Sequence, residues 1–154
     1  MLLIPMMLAA LAGEPAAQTP GTLFADLSGS CWQGDMGGGV TDTHCFSLSD
    51  GGQLGLDVHK VRNADKAVVY EGVTAYHPGA ASGKVAFGYY NSLGDLMPGV
   101  ASRSGDELDI TLQIAGKPVD VVWRMTADGY DVTNPMMPAT VHFRKVGPVG
   151  DGGL

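Results

Sequence analysis

The sequence predicts an all-β protein, an antiparallel up-and-down β-barrel of about eight to ten strands. Three observations carry this reading. Short segments of alternating apolar and polar residues recur roughly every ten residues, with turn residues between them. Beyond the N-terminal apolar segment, no stretch shows helical periodicity of useful length. The connections are also far shorter than the dozen or so residues a parallel crossover needs, so sequence neighbours must pair antiparallel. About nine such strands in one open sheet would leave exposed edges, and closure into a barrel removes them.

The chain begins with MLLIPMMLAALAG, which is apolar but too short to cross a bilayer. It reads as the apolar core of a secretory signal peptide over residues 1–12, with Ala10-Leu11-Ala12 as a small-residue cleavage site. Residues 13–21 form a Pro/Ala/Thr linker, expected to be flexible. A single domain then runs over residues 22–146, and a glycine-rich, disordered tail is expected over residues 147–154. Thr22 to Leu27 suggests one short helical turn.

The first hairpin is LSGSCWQGD, MGGG and VTDTHCFSLS. A three-residue Gly37-Gly38-Gly39 loop, of a kind that favours glycine at positive φ, places Cys31 opposite Cys45 and Trp32 opposite His44. Opposed Cβ atoms lie close enough for a disulfide after a small local adjustment. In an exported chain that pairing predicts a Cys31–Cys45 bridge.

The next turn, Ser49 to Gln53, is ambiguous. A two-residue Asp50-Gly51 turn would pair His44 with Asp57 and Asp42 with His59, a polar cluster. A three-residue turn centred on Gly51 would pair His44 with Val58 and Phe46 with Leu56. A one-residue slip moves every side chain to the opposite face, so the hydrophobic pattern should decide. The second register sets Leu54, Leu56 and Val58 beside Phe46 and Leu48, and turns Asp57 and His59 to solvent. It is the expected one, because burying an unpaired ionised Asp57 would cost far more than exposing an aliphatic group or two.

Further strands follow over Ala67–Tyr76, with Gly72 a candidate bend or bulge, then Val85–Tyr89 and a weaker Leu96–Arg103 interrupted by Pro98. Leu108, Ile110, Leu112 and Ile114 give the cleanest period-two run. Val119, Val121, Trp123 and Met125 follow. Asp128-Gly129 reads as a turn, Asn134–Pro138 as a Met/Pro loop and Ala139–Val146 as the last strand.

The sequence has 45% hydrophobic residues and 23 glycines at regular intervals, which indicates many turns rather than disorder. The net charge of −7, with no cluster of basic residues, argues against nucleic acid or anionic membrane surfaces as partners. Membrane insertion of the mature chain is not expected.

Gly29-Ser30-Cys31-Trp32-Gln33-Gly34 resembles the glycine–tryptophan opening of the first strand in lipocalin-like (calycin) barrels, including secreted bacterial members, displaced by one residue. The resemblance covers residues 22–146 as a strand pattern. It implies a buried Trp32 at a closed end, a short turn before the first strand as a plug, and a basic residue, Arg144 or Lys145, over the tryptophan. It also implies periplasmic or secreted localisation and a barrel that can bind a small molecule.

On this reading His44, Phe46, Tyr70, Tyr76, Tyr89 and Trp123 are candidate pocket residues. His44 is either a polar handle for a ligand or a core histidine satisfied by a neighbour. The aromatics either line a cavity or fill the core. No metal is expected, since His44, His59, His77 and His142 lack ligand spacing and the favoured register separates His44 from His59. Nitrobindin-type barrels bind haem through a histidine near the C-terminus, but His142 is misplaced for that pattern, so no cofactor is expected. Gly37-Gly38-Gly39 lacks the lysine of a phosphate loop, and no nucleophile elbow occurs. Two functions therefore stand: binding of a small apolar molecule in the barrel, and, as the alternative, interaction with a protein partner, such as protease inhibition by an N-terminal arm. No catalytic constellation points to an enzyme.

Overall fold

A computed structural model describes residues 16–79 and 83–150, so the expected signal peptide at residues 1–12 lies outside the described residues. The fold is the expected closed barrel. Its strands are β1 (Ser30–Gly37), β2 (Val40–Leu48), β3 (Gly55–Arg62), β4 (Val68–Pro78), β5 (Val85–Asn91), β6 (Leu96–Ser104), β7 (Glu107–Ile114), β8 (Lys117–Met125), β9 (Gly129–Thr133) and β10 (Val141–Pro148). Each pairs antiparallel with its neighbours in sequence, and β10 closes on β1. The strand that the sequence pattern does not single out is β9, a five-residue segment between a turn and the Met/Pro loop. Gly147 and Pro148, expected in the tail, extend β10 instead, and the Val149 N–H donates to the Gly29 carbonyl.

Helix α1 (Pro20–Leu23) plugs one end. Thr19 caps it, Pro20 opens it, and Leu23, Phe24 and Leu27 are almost fully buried. Phe24 stacks on Phe46 at 5.5 Å and tilts against Tyr76 at 4.6 Å. Just before it, within the expected flexible linker, Gln18 is tied to the barrel. Its backbone N–H donates to Gly83, and its side chain donates to the Arg103 carbonyl and accepts from the Arg103 N–H.

Trp32 is buried at this plugged end. Its indole N–H donates to the Leu27 carbonyl at 3.1 Å, and Tyr130 meets it edge-on at 5.9 Å. Of the two basic residues expected over Trp32, Arg144 is not the one that stands there. Arg144 lies next to Phe143, whose side chain fills the core, so strand alternation turns it outward to Asp128. Lys145 is the residue that stands opposite Trp32.

The first hairpin pairs Cys31 with Cys45 and Trp32 with His44, as the glycine symmetry predicts. Only the tip differs: the register shifts after Asp35, so Gly37 faces Val40 and the turn is Gly38-Gly39. Cys31 and Cys45 form a disulfide across Cα atoms 4.1 Å apart. In the chain-entropy model a loop this short contributes on the order of 3 kcal/mol.

The β2–β3 connection overturns the expected register. Asp50–Gln53 form a loop longer than either turn considered, closed by Ser49 N–H to Leu54 O and Gly52 N–H to Ser49 O bonds. Gly52 sits at φ +65°, where a side chain would be strained. His44 then faces His59, Cys45 faces Val58 and Phe46 faces Asp57. Leu54 and Leu56 point outward, 58% and 46% exposed, while Asp57 is 2% exposed. The argument against burying Asp57 assumed an unpaired charge, and this one is paired.

Candidate functional site

Two Asp-x-His dyads, Asp42-x-His44 on β2 and Asp57-x-His59 on β3, put their side chains on the inner wall because strand side chains alternate. The register sets the dyads one step out of phase. His44 stands opposite His59 with ring centroids 4.7 Å apart, and the two carboxylates flank the pair.

The polar groups form one chain. His44 Nδ1 lies 2.8 Å from Asp57 Oδ2 and His44 Nε2 lies 3.2 Å from Asp42 Oδ2. With a carboxylate at each nitrogen, His44 donates from both. Asp42 Oδ1 accepts from His59 Nδ1 at 3.2 Å. His59 Nε2 then accepts from the Tyr89 hydroxyl at 2.8 Å, and Tyr89 is bonded in turn to Tyr70. Gly72 makes room for this end of the chain. A Cβ there would come within 2.5 Å of the Tyr89 ring and 2.8 Å of His59 Nε2. Gly72 is therefore a point of close approach, paired in register with His59 and Asn91; the ladder's irregularity lies beyond it, where Val61 faces Tyr70 and Arg62 faces Val68.

Electrostatics fix the protonation states. Burial alone would depress the His44 imidazolium, but Asp57 and Asp42 outweigh it and push its pKa up to about 10. Burial alone would raise the Asp42 carboxyl, but His44 and His59 hold it well below the usual carboxylate range. Burial, with Tyr70 beside it, raises the Tyr89 phenol far above its ordinary value. The core of the site is thus an ionised Asp42 against a protonated His44.

This chain borders an interior cavity of about 200 Å³. Asp42, His44, Asp57, His59 and Tyr89 line one side, and Phe87, Leu112, Val121, Trp123 and Val132 supply apolar wall. Met36, at the end of β1, and Met137, in the β9–β10 connection, stand at the end away from α1. Asp57 Oδ1, fully buried, has no hydrogen-bond partner among the described residues.

Of the candidate pocket residues, His44, Tyr76, Tyr89 and Trp123 line the cavity. Phe46 lies in the core, with its ring 6.1 Å from that of His44, and Tyr70 reaches the site through Tyr89. Asp42, Asp57 and His59 are not among the expected pocket residues. Their signal is the repeated Asp-x-His spacing on adjacent strands, which the expected register turned to the wrong face. No protein-family model and no curated protein matches the sequence.

Proposed function

We propose that this is an exported, lipocalin-like binding protein rather than an enzyme, and that its barrel takes a small, chiefly apolar molecule bearing one hydrogen-bond-donating group. One observation carries the reading: an apolar interior cavity is bordered on one side by a convergent polar group, the carboxylates and imidazoles of Asp42, His44, Asp57 and His59. Small-molecule sites combine apolar walls with a few convergent polar groups in this way. At about 200 Å³ the cavity falls below the usual range of roughly 300–1,000 Å³, so the occupant is compact. The apolar N-terminal segment and the Cys31–Cys45 disulfide support export to an oxidising compartment. The alternative, a protein partner engaged by an N-terminal arm, draws no support from Gln18, which is bound to the barrel.

Native mass spectrometry of protein purified from its own source tests this. The wild type should carry a small noncovalent adduct that denaturation releases. Leu112→Trp, which fills the cavity, should lose the adduct while keeping the far-UV circular dichroism of the barrel. A wild type that carries nothing, and that no compact aromatic amine or alcohol stabilises thermally, would refute the proposal.

A further inference from the structure

We propose that Asp42, His44 and His59 form a binding site for a divalent transition-metal cation of the zinc class, with its open coordination position toward the cavity. This goes beyond the apolar-ligand reading and does not depend on it.

The donor atoms are already gathered. One ligand atom from each of the three residues lies within 4.8 Å of the others. Asp42 oxygens stand 3.2 Å from His44 Nε2 and 3.2 Å from His59 Nδ1. Metal–ligand distances of about 2.0–2.1 Å give a tetrahedron with edges of about 3.4 Å, so each imidazole already stands about one edge from one of the two Asp42 oxygens. A small contraction around a central ion would complete the set.

The surrounding hydrogen bonds are those that ligating imidazoles need. A metal-bound histidine holds its other nitrogen on a carboxylate or another acceptor, which fixes ring and tautomer. His44 has Asp57 on Nδ1 at 2.8 Å, and its Nε2 binds the ion by releasing to solvent the proton it otherwise donates to Asp42. His59 has the Tyr89 hydroxyl at Nε2 at 2.8 Å, which leaves Nδ1. For His59 to ligate through Nδ1, its proton must sit on Nε2. Tyr89 then accepts that proton's hydrogen bond and donates its own to Tyr70, a rotation that a hydroxyl allows. Two imidazoles and one carboxylate select zinc-class ions over calcium or magnesium, which take oxygen ligands. The side chains of Asp42, His44 and His59 retain 11–14% exposure, which gives an ion a way in. Three protein ligands beside a cavity leave the fourth position to water or to a donor on a bound molecule.

The test is titration of EDTA-treated, dialysed protein with Zn²⁺ by calorimetry and with Co²⁺ by visible absorption. About one equivalent should bind, Co²⁺ should give the intense bands of a tetrahedral site, and Zn²⁺ should raise the melting temperature. Asp42→Asn and His59→Gln should each weaken Zn²⁺ binding at least tenfold. His142→Asn, on the outer wall, should leave it unchanged. Circular dichroism of each metal-free variant establishes that the barrel is intact. Absence of binding by the wild type, binding indifferent to His59→Gln, or binding abolished by His142→Asn would overturn the assignment. A wild type that binds zinc but no organic molecule would support this site while removing the apolar-ligand reading. The converse result would do the opposite.

Discussion

Among the described residues, the barrel wall carries two histidine–aspartate clusters, one on each face. Inside, Asp42, His44, Asp57 and His59 join β2 to β3. Outside, Asp131 on β9 and His142 on β10 are joined by Asp128 and Arg144. The composition is nearly the same and the distances are similar, with His142 Nε2 3.3 Å from Asp128 Oδ1. Their surroundings differ. The side chains of Asp128 and Arg144 are 62% and 69% exposed, whereas that of Asp57 is 3% exposed. Arg144 holds Asp128 below the usual carboxylate range, but water screens that pairing. Inside, removing one partner strands a charge that water cannot reach. Which face a side chain occupies therefore decides whether the same chemistry supports the fold or decorates it.

The largest expected effect breaks the inner cluster. His44→Phe removes the hydrogen-bond partner of the Asp57 Oδ2 atom, and a stranded buried charge costs about 3–5 kcal/mol. Denaturant melts should show that loss, and the double variant His44→Phe/Asp57→Leu should recover most of it, because a well-packed apolar pair has no charge to desolvate. A single variant as stable as wild type would mean that the His44–Asp57 contact contributes nothing to the fold. Trp32→Ala is the apolar yardstick, at about 3–5 kcal/mol for a large core aromatic. A loss below about 1 kcal/mol would contradict its place over the plug.

pH sharpens the contrast further. In metal-free protein the folded His44 pKa of about 10 lies above its ordinary 6.5. Its contribution is complete below pH 6.5 and is lost as pH rises toward 10. Asp42 titrates below its ordinary 3.8, so its contribution is present above that value and is lost as pH falls below it. Melts across pH should therefore show greatest stability between about pH 4 and 6.5, declining on the alkaline side. His44→Phe should remove the alkaline decline, and a flat wild-type profile from pH 6.5 to 10 would contradict the buried ion pair. The smallest effect is outside: His142→Ala should leave the denaturation midpoint within experimental error, since exposed pairs are screened.

These contrasts also explain what was legible in the sequence. The first hairpin was readable to the residue pair because the glycine run fixes where the chain reverses, and both cysteines follow from that centre. The second was not. Ser49–Gln53 can turn in several ways, and the apolar pattern together with the cost of burying an unpaired carboxylate points Asp57 and His59 outward. What was invisible was the partner: a carboxylate is costly inside only if alone, and His44 supplies the counter-charge from the next strand. β9 escaped notice because GYDVT is too short to display a period. Arg144 was assigned from a resemblance, while the parity of Val141 and Phe143 already turned it to solvent.

The seam between β1 and β10 has a consequence for how the barrel assembles. Every other ladder joins strands adjacent in the chain, so each can zip from its own turn with little loop-closure entropy. The seam alone must bring together Ser30 and Pro148, from opposite ends of the domain. Assembly then resembles a ribbon of hairpins that curls and locks once, with the single non-local closure setting the pace. Gly29 and Val149 already touch across that lock. A linker from Val149 to the segment before α1, which keeps the plug, with the chain opened instead at the Ser92–Asp95 turn, would move the slow step to a different pair of strands and leave the finished barrel the same.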